Sequence, residues 1–165
     1  LAEAFRDGGY EPLTLAEAVM RCRNALKALT AAGIPVIRHG LQTTRELEAP
    51  GAVVAGPFHP AFRSLVESSI LRDTAASLLE AASPGKATVT FALSPGDVSD
   101  FLGLRRGNLA ALKRLFPLAD IRFSAAPAVP RRTVLLKVGG RIFAGDWTGT
   151  VSEIPQDHHL CSEPD

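Results

Sequence analysis

From Leu15 to Leu29 the apolar residues return every three or four positions, at Leu15, Val19, Cys22, Leu26 and Leu29, and just beyond them the period changes. That spacing lays one apolar stripe along a helix and leaves Arg21, Arg23 and Lys27 on other faces. Thr14, with Glu17 three residues on, has the spacing at which each side chain satisfies an orphan backbone N–H, so the helix is predicted to start near 15. Gly33 suits its stop near 32. Directly after it, "IPVIR" at 34–38 is a short apolar run and reads as a strand. Helix, glycine turn and apolar strand form the αβ half of a β/α repeat, which puts the chain in the α/β class.

The same alternation continues. "APGAVVAGPFHPAF" carries a brief apolar run at 53–55, and Pro60 fits the first turn of a second helix whose apolar positions (Phe62, Leu65, Val66, Ile70, Leu78, Leu79) keep helical spacing to about Ala82. "SPGK" at 83–86 breaks the chain where its charge also changes. Residues 86–137 hold nine basic against three acidic residues, whereas residues 1–85 hold eight against nine. The pattern then predicts a strand at 88–93, a helix near 96–102, a helix at 108–116, strands at 121–124 and 133–138, and a hairpin through Gly139-Gly140 returning with Ile142 and Phe143. Three regions follow: 1–85, a basic α+β module at 86–151, and a polar tail at 152–165.

Composition removes several classes. Hydrophobic residues at 46% and charged ones at 21% are those of a folded domain. No apolar run approaches the roughly 18 residues that span a bilayer, and the start lacks a signal-peptide pattern, so a soluble, cytoplasmic protein without a membrane partner is expected. Two cysteines, Cys22 and Cys161, make neither a disulfide framework nor a metal spacing. The first residue is Leu1 rather than methionine, which suggests a fragment of a longer chain.

Four constellations carry candidate chemistry. "RHGLQ" ends the predicted strand at 34–38, and the carboxyl ends of strands are where α/β folds gather ligands. Arg38 or Gln42 would contact a ligand there, with Gly40 allowing close backbone approach; the bland alternative pairs Arg38 with a carboxylate and leaves His39 in a solvated turn. His59 precedes a helix and reads either as an acid–base group or as a cap between packed Phe58 and Phe62. "GLRRG" at 103–107 lies between two helices flanked by strands, the β-α-α-β order of a KH-like module whose glycine loop clamps a nucleic-acid backbone. Arg105, Arg106, Lys113 and Arg114 are its nucleic-acid candidates, beside the alternative of a packed helical pair with a solvated basic face. Three residues rather than two separate its glycines. His158, His159 and Cys161 lack zinc-ligand spacing, so no metal residues are assigned, and no catalytic acid–base pair is evident.

The first part of the chain resembles a known family. "YEPLT" leading into a helix, "GIPVIRHGLQ", and "AGPFHPAF" ahead of "LVES" resemble the end of the radical S-adenosylmethionine core and its C-terminal extension in bacterial proteins akin to the catalytic subunit of Elongator, over roughly residues 1 to 82. The resemblance implies the remnant of an incomplete β/α barrel, with Arg38, Gly40, Leu41 and Gln42 on the cofactor side. It also implies S-adenosylmethionine and a [4Fe–4S] cluster in the parent protein, held by three closely spaced cysteines that Cys22 and Cys161 cannot supply. The fragment would then be inactive alone, would need the N-terminal half of the same polypeptide as its partner, and would position an RNA substrate. A stand-alone nucleic-acid-binding or adaptor module without catalysis is the alternative.

Overall fold

The computed structural model describes residues 1–41 and 44–155. They fall into two compact units, one from Leu1 to Ser69 and the other from Ile70 onward.

The first unit holds α1 (Ala2–Arg6), α2 (Leu15–Ala31), α3 (Arg45–Glu48) and the opening turns of α4 (Phe62–Ala82). The expected capping box starts α2: the Glu17 N–H donates to Thr14 Oγ1 at 3.2 Å, and the Thr14 N–H donates to Glu17 Oε2 at 2.8 Å. That backbone hydrogen bond from Thr14, joined by the Thr14 hydroxyl, holds the Glu17 carboxyl below its ordinary range. At the other end Gly33 takes φ +69°, its N–H reaches Thr30 O and that of Ile34 reaches Leu29 O, which is a Schellman stop. Ala18 and Leu26 on α2 and Val66 on α4 are buried.

The predicted strand at Ile34–Arg38 is not formed. Residues 34–39 carry no regular structure, and Ile37 is fully exposed. A strand exists by pairing with a neighbour, and the described residues of this unit contain no other strand for it to pair with. A barrel remnant is therefore not what these residues build on their own.

The second unit is a mixed α/β layer. The remainder of α4 is followed by β1 (Thr88–Leu93), a 3-10 turn at Pro95–Asp97, α5 (Val98–Leu102), α6 (Gly107–Leu115), β2 (Asp120–Ala125), β3 (Thr133–Val138), β4 (Arg141–Asp146) and β5 (Val151–Ile154). The sheet order is β2-β1-β3-β4-β5, with β1 and β2 parallel and the other pairs antiparallel. Strand alternation puts Val89, Phe91 and Leu93 on one face, in register with Val134, Leu136 and Phe143 of β3 and β4, and all six are buried. Phe101 of α5 closes over Phe91 at 5.1 Å between ring centroids. Across β4 the backbone comes close to α4: a Cβ on Gly145 would lie 3.0 Å from Thr74 Cγ2 and 3.1 Å from Leu78 Cγ. The hairpin turns at Gly139-Gly140 with φ +55° and +78°, the positive pair that a two-residue type I′ loop requires. The boundary between the two units falls within α4, whereas the charge shift lies in the turn after it, where Ser83 and Gly85 both take positive φ.

Candidate functional sites

In the first unit, Arg38 is exposed and Leu41 is 69% exposed, while Gln42 lies outside the described residues. The close approach expected at Gly40 is made to protein: at φ +80° its missing Cβ would sit 2.8 Å from Phe62 Cδ1, so the first turn of α4 occupies the space a side chain would need. Next to it, His39 buries Nε2 with no hydrogen-bond partner among the described residues. His59 acts as a cap, its Nδ1 accepting the Ala61 N–H at 3.0 Å, which places its ring proton on Nε2. Sequence reasoning passed over Glu67, which is 5% exposed and pairs with Arg63 Nε at 2.9 Å on the same helix. The Cys22 thiol is pushed up by burial, away from the reactive thiolate form.

In the second unit, the glycine-flanked loop is a tight turn. Gly103 takes φ +70°, and Arg105 (φ 51°, ψ 34°) and Arg106 (φ 59°, ψ 28°) follow in the left-handed region, at roughly 1–2 kcal/mol for each non-glycine residue held there. Asn108 ties the loop down: its side-chain amide donates to Phe101 O at 3.0 Å and to Asp100 O at 3.3 Å, satisfying carbonyls that the end of α5 leaves open. Arg105 and Arg106 are both exposed, as is Arg114 on α6. Lys113 is differently disposed, donating to Asp120 Oδ1 at 3.0 Å while Arg122 lies 3.9 Å from Oδ2. The hydrogen bond from Lys113 is the main cause holding the Asp120 carboxyl low. The structure thus sets Arg105 and Arg106 side by side, leaves Arg114 open, and binds Lys113 to an acid.

One constellation has no local signal in the sequence. Asp97, at the carboxyl end of β1 and 1% exposed, spends both oxygens on the loop entering β3: Oδ1 pairs with Arg131 Nε at 2.7 Å, and Oδ2 accepts the Arg132 backbone N–H at 2.7 Å. Arg131 lies across Gly96, where a Cβ would collide with Nη1 and Cζ. Arg132 takes φ +66° and sets its guanidinium carbon 4.4 Å from the ring centroid of Trp147, itself 2% exposed. A 35-residue separation hides the Asp97–Arg132 contact from any reading of neighbours along the chain.

Residues 1–72 match the family described as Radical_SAM C-terminal domain. No curated protein and no solved structure matches the chain. The first part of the chain is therefore similar to a radical SAM C-terminal region, and what it serves is read from its residues. No helix among the described residues is long and apolar enough to cross a membrane.

Proposed function

We propose that residues 1–72 are the closing part of a cytoplasmic radical S-adenosylmethionine protein related to the Elongator catalytic subunit, and that the basic second unit positions its RNA substrate. The observation that carries this reading is the match of residues 1–72 to a radical SAM C-terminal domain. The exposed run Ile34, Ile37 and Leu41, next to exposed Arg38, supports it: an apolar edge with a cation beside it suits contact with a further piece of barrel and with a charged cofactor. Arg38, Gly40, Leu41 and Gln42 remain the residues assigned to the cofactor side.

A [4Fe–4S] cluster does not fit this chain. Such clusters take three or four thiolates, the sequence holds two cysteines, and the described residues contain no group of three or more potential metal ligands. The cluster and the S-adenosylmethionine on it belong, in this reading, to the N-terminal half of the same polypeptide, and no step through them is derived from these residues. Their part is to cover the cavity and to hold the substrate.

The test uses the longer protein, reconstituted anaerobically with iron and sulfide. The reading expects the visible absorbance of such a cluster and, on adding reductant and S-adenosylmethionine, formation of 5′-deoxyadenosine. Well-folded protein that shows neither would overturn it. The second reading, a nucleic-acid-binding or adaptor module without catalysis, is favoured by the exposed, left-handed Arg105–Arg106 pair, and salt-dependent RNA binding by a protein that forms no cluster would select it.

A further inference from the structure

We propose that Arg131 and Arg132 form a second phosphate contact of the basic unit, so that its ligand is a single-stranded nucleic acid whose backbone engages both this pair and Arg105–Arg106; the inference rests on the nucleic-acid reading of that unit.

The pair differs from ordinary surface arginines in being held from beneath. Arg131 is fixed through Nε by a carboxylate with a side chain only 2% exposed, while its own side chain is 55% exposed. Its Nη groups make no hydrogen bond among the described residues, so their N–H donors remain for an incoming oxygen. Arg132 is fixed by the face of Trp147, a contact that uses its π-facing surface and none of its five N–H donors. Among the described residues, Asp97 is the acid that pairs with these arginines. Asp146, beside Trp147 in sequence, turns its Oδ1 to the Thr148 and Thr150 backbone N–H groups at 2.8 and 3.3 Å.

Two costs are already met in the folded protein. A free arginine loses rotamer freedom when it grips a phosphate, and these two have lost much of it before any ligand arrives. The left-handed φ of Arg132 is strained for a residue with a Cβ, and glycine would relieve it; the side chain there is what sets a cation on Trp147. A loop staple alone would need Asp97, the Arg131 side chain and the Arg132 backbone N–H, without a guanidinium on the tryptophan.

Position selects the ligand class. Asp97 pins the pair at the start of α5, and Gly103 opens the "GLRRG" loop at its end. The five residues of α5 span about 7.5 Å at ~1.5 Å per residue. Two arginine pairs at the two ends of so short a helix suit successive phosphates of a flexible strand better than one isolated anion.

The probe is a short oligouridine, titrated into the whole chain at several salt concentrations. Trp147 is the chain's single tryptophan, so its emission reports on the Arg132 contact directly. Wild type is expected to bind with a change in that emission. Arg132→Gln and Arg131→Gln should each weaken binding several-fold at low salt and reduce the log–log salt slope by about 0.7, the value for one phosphate contact on a single strand. Arg132→Lys should restore the slope. Since Arg131→Gln strands a buried carboxylate, the double variant Asp97→Asn/Arg131→Gln gives the same reading if the single one does not fold. Wild-type binding with unchanged affinity and slope in the variants would reduce the pair to a loop staple and leave the nucleic-acid reading standing. No binding by wild type would remove that reading and this contact with it.

Discussion

Asp146 closes β4 and directs its carboxylate into the turn that follows. Burial works to raise its pKa, but hydrogen bonds from the Thr148 hydroxyl and from the backbone N–H groups of Thr148, Thr150 and Gly149 together outweigh it and hold the carboxyl below its ordinary range. A carboxyl depressed in the folded state adds stability that is fully present above its unfolded pKa, near 3.9, and is lost as pH falls through the folded value. Asp146→Asn keeps an acceptor oxygen at the turn but removes the titration. The stability difference between wild type and Asp146→Asn should therefore be constant from neutral pH down to about pH 5 and shrink below pH 4, as followed by Trp147 emission in urea. A difference at pH 3 equal to that at pH 7 would show that the turn draws nothing from the charge. Asp97 contrasts with it at the same scale, because its carboxylate joins segments far apart in sequence while Asp146 serves its immediate neighbours.

At the level of elements, β4 depends on the absence of a side chain at Gly145. The space above it is filled by Thr74 and Leu78 of α4, and the Thr74 hydroxyl shares its one hydrogen between Ile70 O at 3.0 Å and Asp146 O at 3.3 Å, so the helix cannot back away without losing a tie to the strand. Gly145→Ala is expected to destabilise the second unit by about 1–3 kcal/mol through overpacking, measured by urea unfolding; a stabilised variant would mean that α4 yields. The strands of this unit were partly legible. "TVTFAL" and "TVLLKV" are β-branched, apolar and bounded by turn residues, and they form strands at the predicted positions. β5 escaped notice because "VSEI" is short, and its strand character comes from pairing with β4. "IPVIR" misled in the other direction: a short apolar run looks alike whether it pairs or lies extended, and pairing is not written in the run itself. The "GLRRG" loop could be read because glycines and arginines sit together. The Asp97, Arg131, Arg132 and Trp147 cluster could not, since only the sheet brings its members to one end.

At the scale of the whole molecule, the two units are finished to different degrees. The second closes its own core between a sheet and helices, whereas the first leaves Met20, Ile34, Ile37, Leu41 and Val54 exposed at its surface. Scattered apolar residues on a surface are ordinary, but three of these fall within eight residues of chain, on the segment proposed above to face the cofactor. Ile37 separates an unfinished surface from a merely apolar one. In residues 1–165 alone, Ile37→Glu should change stability by less than about 0.5 kcal/mol, because a fully exposed side chain has no burial to lose. It should also lower self-association, read by sedimentation, by breaking the apolar run. In the longer radical SAM protein proposed above the same substitution should behave otherwise: if a further barrel segment covers this edge, a carboxylate is forced against apolar surface without a partner, which lowers the yield of folded, cluster-loaded protein. Equal tolerance in both contexts would mean that nothing covers Ile37, and the cavity-closing role would then have to lie elsewhere in residues 1–72.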